Sequence, residues 1–188
     1  LPEARPRLRH ETVPFTYPDG RTVVLTRLHP ELEQPNYGPL DAQTRISLRQ
    51  APALAGLGLI EQVPENEILA WSRENHRDGI RGRPNWLQPP GASQPVLGRF
   101  NWKASEASLA GQTANAAAHD LGLTNPRYPV EACQPAQADC LAAPRGRPTP
   151  LGELDLPQPR LDAIVAYVAG HRAPQPVHLD AAARRGRD

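Results

Sequence analysis

Apolar and polar residues alternate in two early runs. Thr12-Val-Pro-Phe-Thr-Tyr17 and Arg21-Thr-Val-Val-Leu25 flank Pro18-Asp19-Gly20 and predict a β-hairpin about that turn. Pro30–Leu40 is punctuated by proline and reads as loop. Ala51–Leu59 is apolar but too glycine-rich to favour a helix. Its glycines would let backbone lie close against a flat object or pack in a tight core turn. Pro64 then opens a short helix over Glu65–Ser72, with Ile68, Leu69 and Trp71 as its apolar side.

The strongest helix follows Gly98-Arg-Phe-Asn-Trp102-Lys103. Ser105 is its candidate cap, Glu106 lies in its first turn, alanines fill its body, and Gly122 should end it. Leu109, Gln112, Thr113, Ala116, Ala117 and Asp120 fall on or near one side, so a glutamine and an aspartate share a surface of small residues. A proline-rich loop runs from Asn125 to Pro159. A last helix is expected over Leu161–Gly170, with Ile164, Val165, Tyr167 and Val168 as its apolar residues. His171 and Arg172 suit its C-terminal dipole, and Pro174–Asp188 reads as an unravelled tail.

Composition narrows the class. The chain has 188 residues, 23 prolines, 14 glycines and no methionine. Proline is about 12% of the chain against a usual ~5%, yet proline plus glycine stays below the ~25–30% of low-complexity disorder. A net charge of +1 argues against a dedicated nucleic-acid binder, and no apolar run approaches the ~20 residues of a membrane span. Leu1 and the missing methionine suggest a processed chain or a piece of a longer one.

Candidate chemistry is sparse. Cys133 and Cys140 form C-x6-C, which is neither a zinc pair, a redox C-x-x-C nor the C-x-x-C-H of haem attachment. They read as a local disulfide in an oxidising compartment, worth roughly 2–2.5 kcal/mol, or as two unpaired thiols. The six histidines make no H-x-x-x-H or H-E-x-x-H, which argues against a zinc hydrolase. Asn75-His-Arg-Asp78-Gly79 is either a degenerate calcium loop or a plain turn, since Arg77 stands where a carboxylate ligand would be needed.

The order of motifs is more specific than any one of them. Arg49-Gln-Ala-Pro52-Ala-Leu54-Ala-Gly56-Leu-Gly-Leu-Ile60-Glu61, Gly82-Arg-Pro-Asn85, Gly98-Arg-Phe-Asn-Trp102-Lys103-Ala, Ser108-Leu109-x-x-Gln112 and Asp120-Leu-Gly-Leu-Thr124 together resemble the bacterial di-haem oxidoreductases. These are peroxidase-like c-type cytochromes, also described as thiol-oxidoreductase-like. The resemblance runs from Pro18-Asp19-Gly20 through Tyr37-Gly38-Pro39-Leu40 to about His171, and Cys133 and Cys140 look like the family's cysteine pair.

The resemblance implies a mainly α, cytochrome-c-like di-haem peroxidase architecture with a small N-terminal hairpin and long proline-rich loops. Residues 1–173 would be the central segment of the oxidoreductase domain, and 174–188 a linker or the start of a second haem domain. The implied cofactors are two haems c. The implied partners are a redox protein and a small oxidant such as peroxide, in the periplasm or another extracytoplasmic space. The sequence departs from the family in lacking both C-x-x-C-H motifs, and Ala183-Arg-Arg-Gly186-Arg187 looks like the approach to the second of them.

A more distant similarity to di-haem cytochrome c peroxidases implies residue roles. Arg49, Pro52, Leu54 and Lys103 would contact haem, Arg49 by pairing with a propionate. Trp102 would relay electrons between haems, Gln112 would hydrogen-bond in the distal pocket, and Asp120 would be the distal acid. Geometry bears on the last role, because eight residues of continuous helix hold Gln112 and Asp120 roughly 12 Å apart. The peroxidases place a proline in that interval, where this chain has Ala116. Trp102 could otherwise be a core aromatic, and Asp120 a polar helix end. A haem-free periplasmic binding or scaffold module is the other reading of the chain.

Overall fold

A computed structural model describes residues 4–74, 79–89, 91–144, 148–175 and 180–187. The chain divides into two compact units, one made of residues 1–51 with 133–145, the other of 52–132 with 146–188.

The first unit is built on strands β1 (Arg5–Thr16) and β2 (Thr22–Glu33), paired antiparallel from Arg5↔Glu33 to Thr16↔Thr22. Gly20 N–H bonds to Tyr17 O at 2.9 Å, and Gly20 has φ 86°, which makes Pro18-Asp19-Gly20 the turn. Tyr17 N–H also bonds to Arg21 O, and this sets the register class. Odd-numbered residues of β1 sit in hydrogen-bonded pairs, and even-numbered ones do not. Pro6 and Pro14 are even, and Pro30 faces even Leu8, so all three prolines occupy positions where no ladder donor is needed.

The hairpin is much longer than the apolar alternation suggests, and it takes in Pro30–Glu33, expected as loop. Its extension carries charge on one face. Arg7 donates to Glu33 at 2.9 Å, Arg9 to Glu31 at 3.1 Å, and His29 Nε2 meets Glu11 at 2.5 Å. These are diagonal cross-strand pairs.

The hydrogen bond from His29 is the main cause that holds the Glu11 carboxyl below its ordinary pKa. A lowered carboxylate pKa means that its contribution is complete above the unfolded value and is lost as pH falls through the folded one. A carbon-detected titration of Glu11 should therefore give a midpoint below that of a free glutamate. Glu11→Gln should remove the acid-side loosening of the hairpin, and an ordinary midpoint would contradict the pairing.

The same unit holds Cys133 and Cys140, joined by a disulfide, with Cys140 in the middle of α4 (Ala138–Ala142).

In the second unit three helices pack together: α1 (Leu57–Gln62), α3 (Leu109–His119) and α5 (Gln158–Ala169). Phe100, Leu109 and Val168 form one buried cluster, and Ala114, Ala117, Leu156 and Leu161 another, with Val165 packed against both. A helix does form in the glycine-rich stretch, for a packing reason. A Cβ on Gly58 would lie 2.2 Å from the carbonyl oxygen of Ala169, so only glycine lets α1 rest on the end of α5. Gly56 N–H bonds to His171 O at 2.9 Å and ties the start of α1 to the same place. Of the two sequence alternatives for these glycines, the structure shows the tight packing turn.

Helix α2 (Glu65–Arg73) begins at Pro64, and α6 (Ala181–Arg187), capped by Asp180, forms where the sequence reads as tail. A second small sheet pairs β3 (Trp86–Leu87) with β4 (Val96–Leu97).

The expectation of a mainly α, cytochrome-c-like fold is corrected. The structure is 29% helix and 20% strand, with six helices and two small sheets among the described residues. Two twelve-residue strands raise the strand share. Proline and glycine keep every described helix to twelve residues or fewer.

Candidate functional site

The string Gly98–Lys103 is a tightly tied loop. Phe100 and Glu106 bridge across it, and Asn101 and Ala104 have φ of 69° and 48°, in the left-handed region. Alanine is rare in that region, so surrounding bonds must hold it there. Asn85 supplies them, its side-chain amide donating to Lys103 O at 3.0 Å and Ala104 O at 3.1 Å. Gly98 lies against Ala104 O so closely that a Cβ would stand 1.7 Å from it. Trp102 and Lys103 sit at the tip of this braced loop. Trp102 is 64% exposed, so it is not the core aromatic that was the alternative.

Helix α3 begins later than the sequence suggests. Ser108, not Ser105, caps it, its Oγ accepting from Gly111 N–H at 3.0 Å, while Ser105 Oγ accepts from Asn101. Gly122 N–H bonds back to Ala118 O and closes the helix as expected. The Glu61 carboxylate accepts from Leu109 N–H at 2.8 Å, a second cap, this one anionic, brought from α1. Arg99 in turn donates to Ile60 O at 3.2 Å, Glu61 O at 3.4 Å and Val63 O, gathering the end of α1.

Gln112 is half-buried on α3, and its Oε1 is a buried oxygen with no hydrogen-bond partner among the described residues. Most buried polar atoms are satisfied, and leaving one unpaired costs about 1–3 kcal/mol. Asp120 is the exposed C-terminal cap of α3. The helix is unbroken between them, so the two side chains stay about two turns apart and do not converge. Pro52 and Leu54 are exposed ahead of α1, while Arg49, in the other unit, donates to Ser47 Oγ at 3.1 Å. Asn75–Asp78 of the candidate calcium loop lie outside the described residues. No cluster of three or more His, Cys, Asp or Glu able to hold a metal exists among the described residues.

Sequence reasoning missed a buried polar network behind α3. Glu106 is 3% exposed and lies outside the helix rather than in its first turn. Its carboxylate meets Arg127 at 3.0 Å and accepts from Asn115 at 2.8 Å. Asn115 also donates to the Tyr128 hydroxyl at 3.2 Å. Asn125, fully buried, donates to Ala114 O and accepts from the backbone N–H groups of Arg127 and Tyr128. The signal available was Asn125-Pro-Arg, an Asx turn, but nothing in the sequence paired Arg127 with Glu106.

Compared with models of known families, the chain matches over residues 3–139 the family described as "Di-haem oxidoreductase, putative peroxidase". That span is most of the chain, and the protein belongs to this di-haem oxidoreductase family. No curated protein and no solved structure matches it.

The family's description implies haem, and the described residues offer single features that could serve one. Gln112 offers an unspent buried acceptor, Trp102 an outward indole, and Leu54, Leu59 and Ile60 exposed apolar surface. Both cysteines are consumed in the disulfide, so neither thiol is available for a thioether bond to a haem vinyl group.

Proposed function

We propose that this chain forms part of the haem-pocket wall of an extracytoplasmic c-type di-haem oxidoreductase with peroxidase-like or electron-transfer activity. The observation that carries the reading is Gln112 Oε1, buried and unpaired among the described residues, at a position that the more distant similarity to di-haem cytochrome c peroxidases would put in the distal pocket. When bound, the haems would supply one-electron redox chemistry at iron, tuned by their axial ligands. Gln112 would hydrogen-bond a small oxidant such as peroxide and fix its orientation. Trp102, held outward by the braced loop, would carry an electron between haems, and Lys103 beside it would meet a haem edge. Pro52 and Leu54 would give apolar contact, and Arg49 would pair with a propionate. Asp120, at the solvated end of α3, would exchange protons with water rather than touch the same molecule as Gln112. Attachment motifs would come from outside these 188 residues, and a redox protein would supply electrons. The disulfide supports an oxidising compartment.

The test is expression of the natural full-length protein with cytochrome c maturation machinery. A Soret band and peroxide-dependent oxidation of a reduced donor are expected. A product with no Soret band would overturn the reading in favour of a haem-free binding module.

A further inference from the structure

We infer that Glu61 and Arg99 are positioning residues for Gln112, an inference that rests on the role proposed for Gln112 above. Helix α1 has six residues, too few to be stable by its own hydrogen bonds. Its last carbonyls are short of partners, and Arg99 Nη1 reaches Glu61 O, Ile60 O, which also accepts from Val63 N–H, and Val63 O just beyond the helix. A cation at a helix C-terminus is also favoured by the dipole.

Once the end of α1 is fixed, Glu61 projects to α3 and takes the N–H of Leu109. That donor is the first of the helix, and Ser108 satisfies the third, from Gly111. The first turn of α3 is therefore held at two points, one local and one reaching across 48 residues of sequence. Gln112 N–H closes that same turn onto Ser108 O at 2.9 Å. The rotation and tilt of this turn decide where the Gln112 side chain starts, so Arg99 and Glu61 set its position without touching what it binds.

The measurement is made on the haem-loaded full-length protein, with Glu61→Ala, Glu61→Gln and Gln112→Leu alone and combined. Glu61→Ala should speed amide exchange in the first turn of α3 by about tenfold or more, the loss of one charge-assisted hydrogen bond. It should lower the rate of peroxide consumption by a similar factor. Glu61→Gln keeps an acceptor and should retain most of both. In the Gln112→Leu background Glu61→Ala should change the peroxide rate no further, because a positioning residue acts only through what it positions. Arg99→Lys, which keeps the charge and its donors but not the guanidinium geometry, should give a weaker form of the same pattern. Losses that multiply in the double variant, or unchanged exchange in Glu61→Ala, would overturn the inference alone. A Gln112→Leu protein with undiminished peroxide turnover would instead remove the proposed function, and the inference with it.

Discussion

Arg127→Ala should cost about 3 kcal/mol of folding stability, while Glu106→Gln should cost only about 1 kcal/mol. The asymmetry follows from where each partner lies. The Glu106 side chain is 4% exposed, and that of Arg127 is 44% exposed. Removing the arginine leaves a buried carboxylate whose remaining side-chain donor among the described residues is the Asn115 amide. Neutralising the glutamate strands only a guanidinium that already reaches water and lies over the Tyr128 ring. A domain is stable by about 5–15 kcal/mol in all, so the first variant should lose roughly a fifth to three fifths of that margin. Urea unfolding of both variants checks this. Equal losses would mean that the buried carboxylate carries no desolvation cost, and the network would then be mere surface pairing.

This network explains how such short helices hold their places. Asn125 fixes the return of the chain beneath α3 by bonding Ala114 O, and the Thr124 hydroxyl bonds Asp155 at 2.6 Å. Leu156 N–H bonds Thr124 O at 2.9 Å, so the segment leading into α5 is laid along the exit from α3. The apolar clusters are small, and side-chain-to-backbone bonds do work that longer helices do by packing alone.

Local chemistry was legible wherever it acts within a few residues. Pro64 and Gly122 mark the ends they were expected to mark, and Pro18-Asp19-Gly20 is the hairpin turn. The full hairpin was missed because its outer half alternates charge with proline and leucine rather than polar with β-branched residues. Arg5-Pro-Arg-Leu-Arg-His-Glu11 has period two, but the prolines mask it until the register shows them on the unpaired positions. The cap of α3 was misplaced because Ser105 and Ser108 have equal local merit. What decides between them is Glu106, drawn out of the helix by Arg127, a partner 21 positions later. Among the candidate site residues, the anomaly of a glutamine on a small apolar helix side was visible at once. Its lack of a partner could be seen only when the neighbouring side chains were in place.

Replacing that glutamine gives the most informative result expected of this protein. Gln112→Leu should raise stability by about 1 kcal/mol, since a buried acceptor without a donor is exchanged for an apolar group of similar size. In the haem-loaded full-length protein the same change should lower peroxide turnover on the order of a hundredfold, the usual effect of removing one hydrogen bond made in a transition state. The two effects have opposite signs, and a residue retained for folding alone cannot produce both. Gln112→Glu separates the parts further, because it keeps an acceptor but loses the amide donor. If that variant matches Gln112→Leu in turnover, the amide N–H is the working group, and if it matches wild type, the oxygen is. A destabilised Gln112→Leu would mean that Oε1 is satisfied in solution, and the strongest reason for placing a ligand beside α3 would be gone.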